Sequence, residues 1–138
     1  MNNRYIFKGK RKDNGEWVEG FLSKSRGENK QLELCIDHEE KGVMCSSIVI
    51  PETVGQCTGL EDKNGKLIFE GDIIKTKKYG RDIGHSNVNN FDIFKVIYEP
   101  AVFRLKNVRR GFNLVGNGND FEVIGNVMDN SELLEVEE

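Results

Sequence analysis

The chain has 138 residues, 37% of them hydrophobic and 31% charged, with fifteen glycines and a net charge of −3. That length holds one domain with a real core, or two small β units sharing one, and excludes two independent enzymes. No apolar run reaches the length of a membrane span and the start, Met1 to Lys8, has no apolar signal core, so no membrane partner and a cytoplasmic location are expected.

Five acids (Asp129, Glu132, Glu135, Glu137, Glu138) fall in the last ten residues, which hold no base. Without them, 20 basic residues face 18 acidic ones, a near-neutral body rather than the strongly basic surface that phosphate-driven binding needs. Cys35, Cys45 and Cys57 are an odd number at wide spacing, which suits free, partly buried thiols better than a disulfide framework.

In chain order, Arg4 to Leu22 reads as a hairpin, with Tyr5-Ile6-Phe7 as one arm, Asp13-Asn14-Gly15 as the turn and Trp17 to Leu22 as the return. Trp17 and Phe21 share a face. With Tyr5 and Phe7 opposite, they would form an aromatic cluster, read as plain core ahead of a stacking platform. Ser23 to Lys30 is polar and reads as a loop. Leu32 to Asp37 alternates with period two, which sends Leu32, Leu34 and Ile36 inward and Glu33, Cys35 and Asp37 outward. Val43 to Ile50 is a second strand, and Pro51 to Val54 suits one helical turn with proline at its first position and Gly55 closing it.

The stretch from Pro51 to Lys75 concentrates residues with fixed backbone demands: Pro51, Gly55, Gly59, Asn64, Gly65, Gly71 and Asp72. Asn64-Gly65 between apolar runs is a tight-hairpin signal. A similar pattern of turn, apolar run and Glu-Gly occurs at Asn14 to Leu22, and two independent hairpins obeying the same turn chemistry account for the echo. Lys77 to Asn90 lacks apolar periodicity and reads as the longest loop. Strands follow at Phe94 to Glu99, Val102 to Leu105, Phe112 to Val115 and Phe121 to Val127, with Pro100 interrupting at an edge or bulge and Gly116 to Asp120 as a turn. Asn130 caps a short acidic helix at Ser131 to Leu134.

Reactive constellations are scarce. Asp62, Asn64 and Gly65 resemble part of a calcium loop, but in that register the first and last ligand positions are Leu60 and Gly71, so no metal is expected there. Cys35 and His38 have a zinc-like spacing, yet on a strand they point to opposite faces. Ser46, Ser47 or a cysteine with His38 or His85 would be the nucleophile and base, but no nucleophile elbow surrounds them, and no catalytic residue or cofactor is assigned. Basic residues gather at three turns, Lys8 to Lys12, Lys75 to Arg81, and Lys106 to Arg110. If folding gathers them, Lys75, Lys77, Lys78, Tyr79, Arg81, Lys106, Arg109 and Arg110 form a basic rim for nucleic acid; if not, they are ordinary solvated charge.

The combination of Phe7-Lys8-Gly9-Lys10, Asn14 to Gly20, Pro51 to Gln56 running into Thr58-Gly59-Leu60 and Asp62 to Lys66, then Phe69 to Ile74, and finally Phe121 to Asn126 before Glu132-Leu133-Leu134, resembles the YopX family. Such proteins are encoded mainly by bacteriophages and prophages of low-GC Gram-positive bacteria, which implies a bacterial host cell. The resemblance carries over no catalytic or binding residue. The entry from Glu70-Gly71 into Asp72-Ile73-Ile74 is similar to that of small SH3-like barrels, which serve many functions.

The expected fold is therefore all-β or β-dominated. Residues 1–55 form N-terminal hairpins, residues 56–128 a small, partly closed SH3-like barrel packed with them, and residues 129–138 an acidic tail or short helix. The expected role is that of a phage or prophage accessory protein, a non-enzymatic module that binds an unknown host or phage protein. The alternative is nucleic-acid binding through the basic turns. So many short strands leave exposed edges, and pairing them between subunits makes a homo-oligomer an option.

Overall fold

A computed structural model of the chain describes residues 3–76, 92–107, 111–114 and 120–135. It is β-dominated, with eleven antiparallel strands and one short α-helix among the described residues. The chain divides into two compact units, Met1–Cys57 and Thr58–Glu138, with one strand running across the division.

In the first unit, β1 (Phe7–Lys10), β2 (Trp17–Arg26), β3 (Leu32–Glu40) and β4 (Val43–Ile48) are consecutive antiparallel neighbours. The beginning of β5 (Gly55–Glu61) pairs with the free side of β1. Gly9, Val18, Ile36 and Val49 share the inner face, where Ile36 and Val49 are fully buried beside Val54. The sheet curls until the end of β1 reaches the end of β4. There Arg11 bridges Val49, Lys12 N–H donates to the Ile48 carbonyl at 2.8 Å, and Ile50 N–H donates to that of Lys10 at 2.9 Å. Pro51 to Thr53 forms the expected turn, of 3-10 type, and Thr53 Oγ1 ties it to β1 by accepting from Lys10 N–H at 2.9 Å.

The register corrects three expectations in this unit. Phe7 faces Gly20 and so lies on the opposite face from Trp17, whose ring is instead flanked by Lys8 Nζ at 4.9 Å and Lys10 Nζ at 5.6 Å. Tyr5 belongs to a 3-10 turn before β1, and Phe21 is 53% exposed, so the aromatic cluster does not form. Ser23 to Arg26 is strand rather than loop, because its backbone finds partners in Leu32 to Cys35 while its polar side chains tolerate solvent. Cys35, expected outward, is buried, whereas Leu32, expected inward, is 58% exposed at the strand's end.

In the second unit, β6 (Leu67–Phe69) pairs with the remainder of β5, and β7 (Asp72–Thr76) enters a five-stranded sheet. Its other strands are β8 (Asp92–Glu99), β9 (Val102–Lys106), β10 (Gly111–Asn113) and β11 (Phe121–Asn126), in the order β10-β9-β8-β7-β11. Alternation puts Ile74, Phe94, Val96, Leu105 and Phe121 on one face, where with Ile68 they form the core, and Phe112 meets Phe94 edge-on at 5.9 Å. Pro100 sits in the turn between β8 and β9. Among the described residues the sheet ends at β10 and β11 without closing on itself, so they form no closed barrel. Helix α1 (Glu132–Glu135) packs against β8. The Asn130 carboxamide oxygen turns back to accept from Asn126 N–H at 3.1 Å instead of capping that helix.

The glycine-rich stretch explains how the second unit protects an edge. Asp62 and Gly65 close a turn through Gly65 N–H and the Asp62 carbonyl at 3.0 Å, and Gly65 adopts a φ of +83° that a side chain would resist. Asp62 Oδ1 accepts from the amides of Asn64 and Lys66, both at 2.9 Å. Its other oxygen accepts from Val123 N–H at 2.9 Å, and Lys63 N–H donates to the Phe121 carbonyl at the same distance. The hairpin loop thus occupies backbone groups of β11 that an edge strand would otherwise leave open. Gly71, at φ +94°, turns the chain into β7, and Asp72 accepts from Phe69 N–H at 2.8 Å.

Candidate interaction surface beside strand β4

The edge of β4 is treated differently. β4 is the last strand of its sheet, and β1 reaches only its far end, through Arg11 and Lys12. From Val43 to Ser47 no described strand pairs on the outer side. The sequence here, Val43-Met44-Cys45-Ser46-Ser47-Ile48, holds no charge, proline or glycine, the usual means of blunting an edge. Val43 and Met44 are 62% and 64% exposed, beside the tight turn that Lys41 and Gly42 make at φ +51° and +82°.

Where β1 and β4 diverge they leave a cleft of about 590 Å³. Ser46, Ser47 and Ile48 line it on the β4 side, and Arg11, Lys12 and Asp13 on the β1 side. Arg11 grips Asp13 with two hydrogen bonds of 3.1 and 3.0 Å and reaches Glu40 at 3.2 Å. The hydrogen bond from that guanidinium holds the Asp13 carboxyl below the usual carboxylate range. Lys12 pairs with Glu33 at 3.1 Å. The ions around the cleft are therefore already largely matched.

His38 and Ser47 lie diagonally on the inner face of β3 and β4, both buried, with His38 Nε2 2.7 Å from Ser47 Oγ. His38 Nδ1 is 3.7 Å from Glu40 Oε1. Cys35 and His38, three apart on β3, face opposite sides as expected of a strand, and the cross-strand register places serine beside the imidazole. On the outer face Asp37 accepts from Ser23 Oγ at 3.0 Å and Ser46 Oγ at 2.7 Å. These contacts satisfy polar groups between strands, which is what buried polar side chains require. Among the described residues no three metal-binding side chains gather.

Of the basic rim expected from sequence, only Lys75 and Lys106 belong to the described residues; Lys77, Lys78, Tyr79, Arg81, Arg109 and Arg110 lie outside them, as does His85. Lys75 shares Glu122 with Lys63, at 3.6 and 3.5 Å. Lys106 stands opposite Lys95 in the β8–β9 register, a pairing of like charges that the sequence reading missed because it requires the strand alignment. No described helix is long and apolar enough to cross a membrane.

Comparison with known proteins places these features in a family. The chain matches the family model described as YopX protein over residues 6–135. It is similar in fold to the crystal structure of protein EF1440 from Enterococcus faecalis, with a TM-score of 0.53 and 21% identity, covering 93% of this chain and 96% of that one. A comparison with curated proteins found no match.

Proposed function

The chain belongs to the YopX protein family, and from that premise we propose that it is a protein-binding accessory module of bacteriophage or prophage origin, working in the bacterial cytoplasm. Its partner adds an extended segment to the uncovered edge of β4. The observation that carries this reading is the contrast between the two units. Asp62 and Lys63 occupy the edge of β11, whereas β4 offers five uncharged residues, alternate ones of which turn their backbone groups outward where no described strand meets them, and two exposed apolar side chains. Strand addition draws its affinity from main-chain hydrogen bonds and its selectivity from side chains flanking the edge. The cleft provides such flanking pockets on one side of Ser46 and Ser47.

The test is capture by tagged protein from a Gram-positive lysate, with and without nuclease, comparing the native chain with a V43K/M44K variant. Lysines on the edge add charge where an incoming strand must pair while leaving both residues on the surface. A stoichiometric protein that survives nuclease and is lost with the variant is the expected result. Equal capture by the variant refutes the edge as the binding surface.

A second reading, nucleic-acid binding, is favoured by the Lys95–Lys106 pair on the sheet face that also carries Lys75. Neither Lys95 nor Lys106 makes an ion pair among the described residues. A fluorescent oligonucleotide should then bind at low salt, weaken steeply as salt rises, and be lost in a K95E/K106E variant. Absence of binding at low salt ends that reading.

A further inference from the structure

We propose that the occupant of the β4 edge is a second copy of this chain, with the two β4 strands antiparallel about a two-fold axis at Cys45; this rests on the edge-binding reading above and names its partner. Antiparallel pairing about that axis sets Cys45 against its own copy, Met44 against Ser46, and Val43 against Ser47. Each pairing joins residues on the same face, because opposed positions in an antiparallel ladder share a face. The Met44–Ser46 and Val43–Ser47 pairings each set an exposed apolar residue against a small polar one, and none of the three brings like charges together. A closed two-fold contact of this kind uses the same patch twice.

The cleft favours a second copy over an arbitrary strand. In this register the second copy's Val43 and Met44 come beside Ser47 and Ser46, the residues that line the cleft on the β4 side. Adjacent residues point to opposite faces, so the cleft beside Ser46 and Ile48 receives the Met44 side chain, while Val43 packs against Ser47 on the other face. Lys41 follows at the tip of the entering hairpin, and the rim of the cleft carries Glu28; neither makes an ion pair among the described residues. The two are charge-complementary, and the two-fold axis forms that pair twice. Pairing stops where Arg11 already occupies the edge at Val49. Five paired residues and two apolar side chains per chain make a small interface, for which a dissociation constant on the order of micromolar is appropriate.

Analytical ultracentrifugation across a wide concentration range should show a reversible monomer–dimer equilibrium. M44K should weaken it about tenfold or more. E28K and K41E should each weaken it, and the double variant should recover affinity. Mild oxidation of the native dimer should give a disulfide-linked dimer that Cys45→Ser abolishes, since Cys35 and Cys57 are buried. A monomer at every concentration overturns the dimer, as does a dimer indifferent to M44K. The first of these results leaves the edge reading intact if capture of another protein still depends on Val43 and Met44, so the two failures are separable. A dimer that resists crosslinking through Cys45 overturns the proposed register.

Discussion

Replacing Asp62 tests whether the central hairpin acts as an edge cover. Its carboxylate is buried and accepts three backbone N–H groups, from Asn64, Lys66 and Val123, each at 2.9 Å. Burial alone would raise its pKa, but the hydrogen bonds from Val123, Lys66 and Asn64 outweigh it and hold the group below the ordinary aspartate value. Hydrogen bonds to a charged acceptor contribute about 1.5–3 kcal/mol each in favourable cases. In D62A, however, Asn64 and Lys66 are exposed and water can replace the carboxylate there, while the Val123 amide is less accessible. A net loss of about 3 kcal/mol is therefore expected rather than the sum.

D62N keeps one acceptor oxygen but lacks the charge and cannot accept at both sites, so it should cost about 2 kcal/mol. The depressed pKa means that the unfolded state takes up the proton first. Asp62's ionic contribution is thus present above the unfolded aspartate pKa and disappears as pH falls through the folded value. The gap in stability between native chain and D62N should be widest at neutral pH and narrow progressively in acid. The only tryptophan, Trp17, lies in the first unit, so its fluorescence does not report on this site. Urea unfolding followed by circular dichroism should be combined with hydrogen exchange over Phe121 to Asn126. A D62A chain within 0.5 kcal/mol, as a rough threshold, of the native stability refutes the reasoning, as does a pH-independent gap for D62N.

Three further substitutions probe other links. A Cβ at Gly20 would stand 2.0 Å from the Asp37 carbonyl oxygen, a backbone atom, so Gly20→Ala should cost about 3 kcal/mol in urea unfolding of the first unit, followed by Trp17 fluorescence. At Gly65 the same Cβ meets nothing within 4 Å, and only the φ of +83° opposes it; Gly65→Ala should cost about 1 kcal/mol by denaturant unfolding. Ser47→Ala removes the partner 2.7 Å from buried His38 Nε2 and should cost about 1–2 kcal/mol, measured by the same Trp17-monitored unfolding, with Ser47→Thr recovering part of it.

Strand identity was legible wherever one face alternated. The β3 positions Leu34 and Ile36 could be read from side-chain period alone. The turns at Asn14-Gly15 and Asn64-Gly65 followed from chemistry that few residues share. The aromatic cluster was misread because pairing register is not local: Phe7 meets Gly20, and a one-residue difference in alignment moves a side chain to the other face. The opposed Lys95 and Lys106 were hidden for the same reason, and Ser47 with His38 was only one of several serine, cysteine and histidine combinations until the register of β3 and β4 brought those two together. The uncharged composition of β4 was visible, but nothing in its letters marks it as the end of a sheet.

Alternating hydrophobicity, glycine placement and the turn chemistry from Pro51 to Lys75 were enough to determine a β-dominated chain with sharp turns at named positions, because those features act within a few residues through sterics and burial. Which strands sit at an edge, which edges are covered, and which polar groups meet across the sheet were decided only by tertiary structure. Asp62 illustrates the division: its turn is encoded by its neighbours within four residues, but its hydrogen bond to Val123 spans a separation of 61 and exists only once the sheet brings β11 alongside.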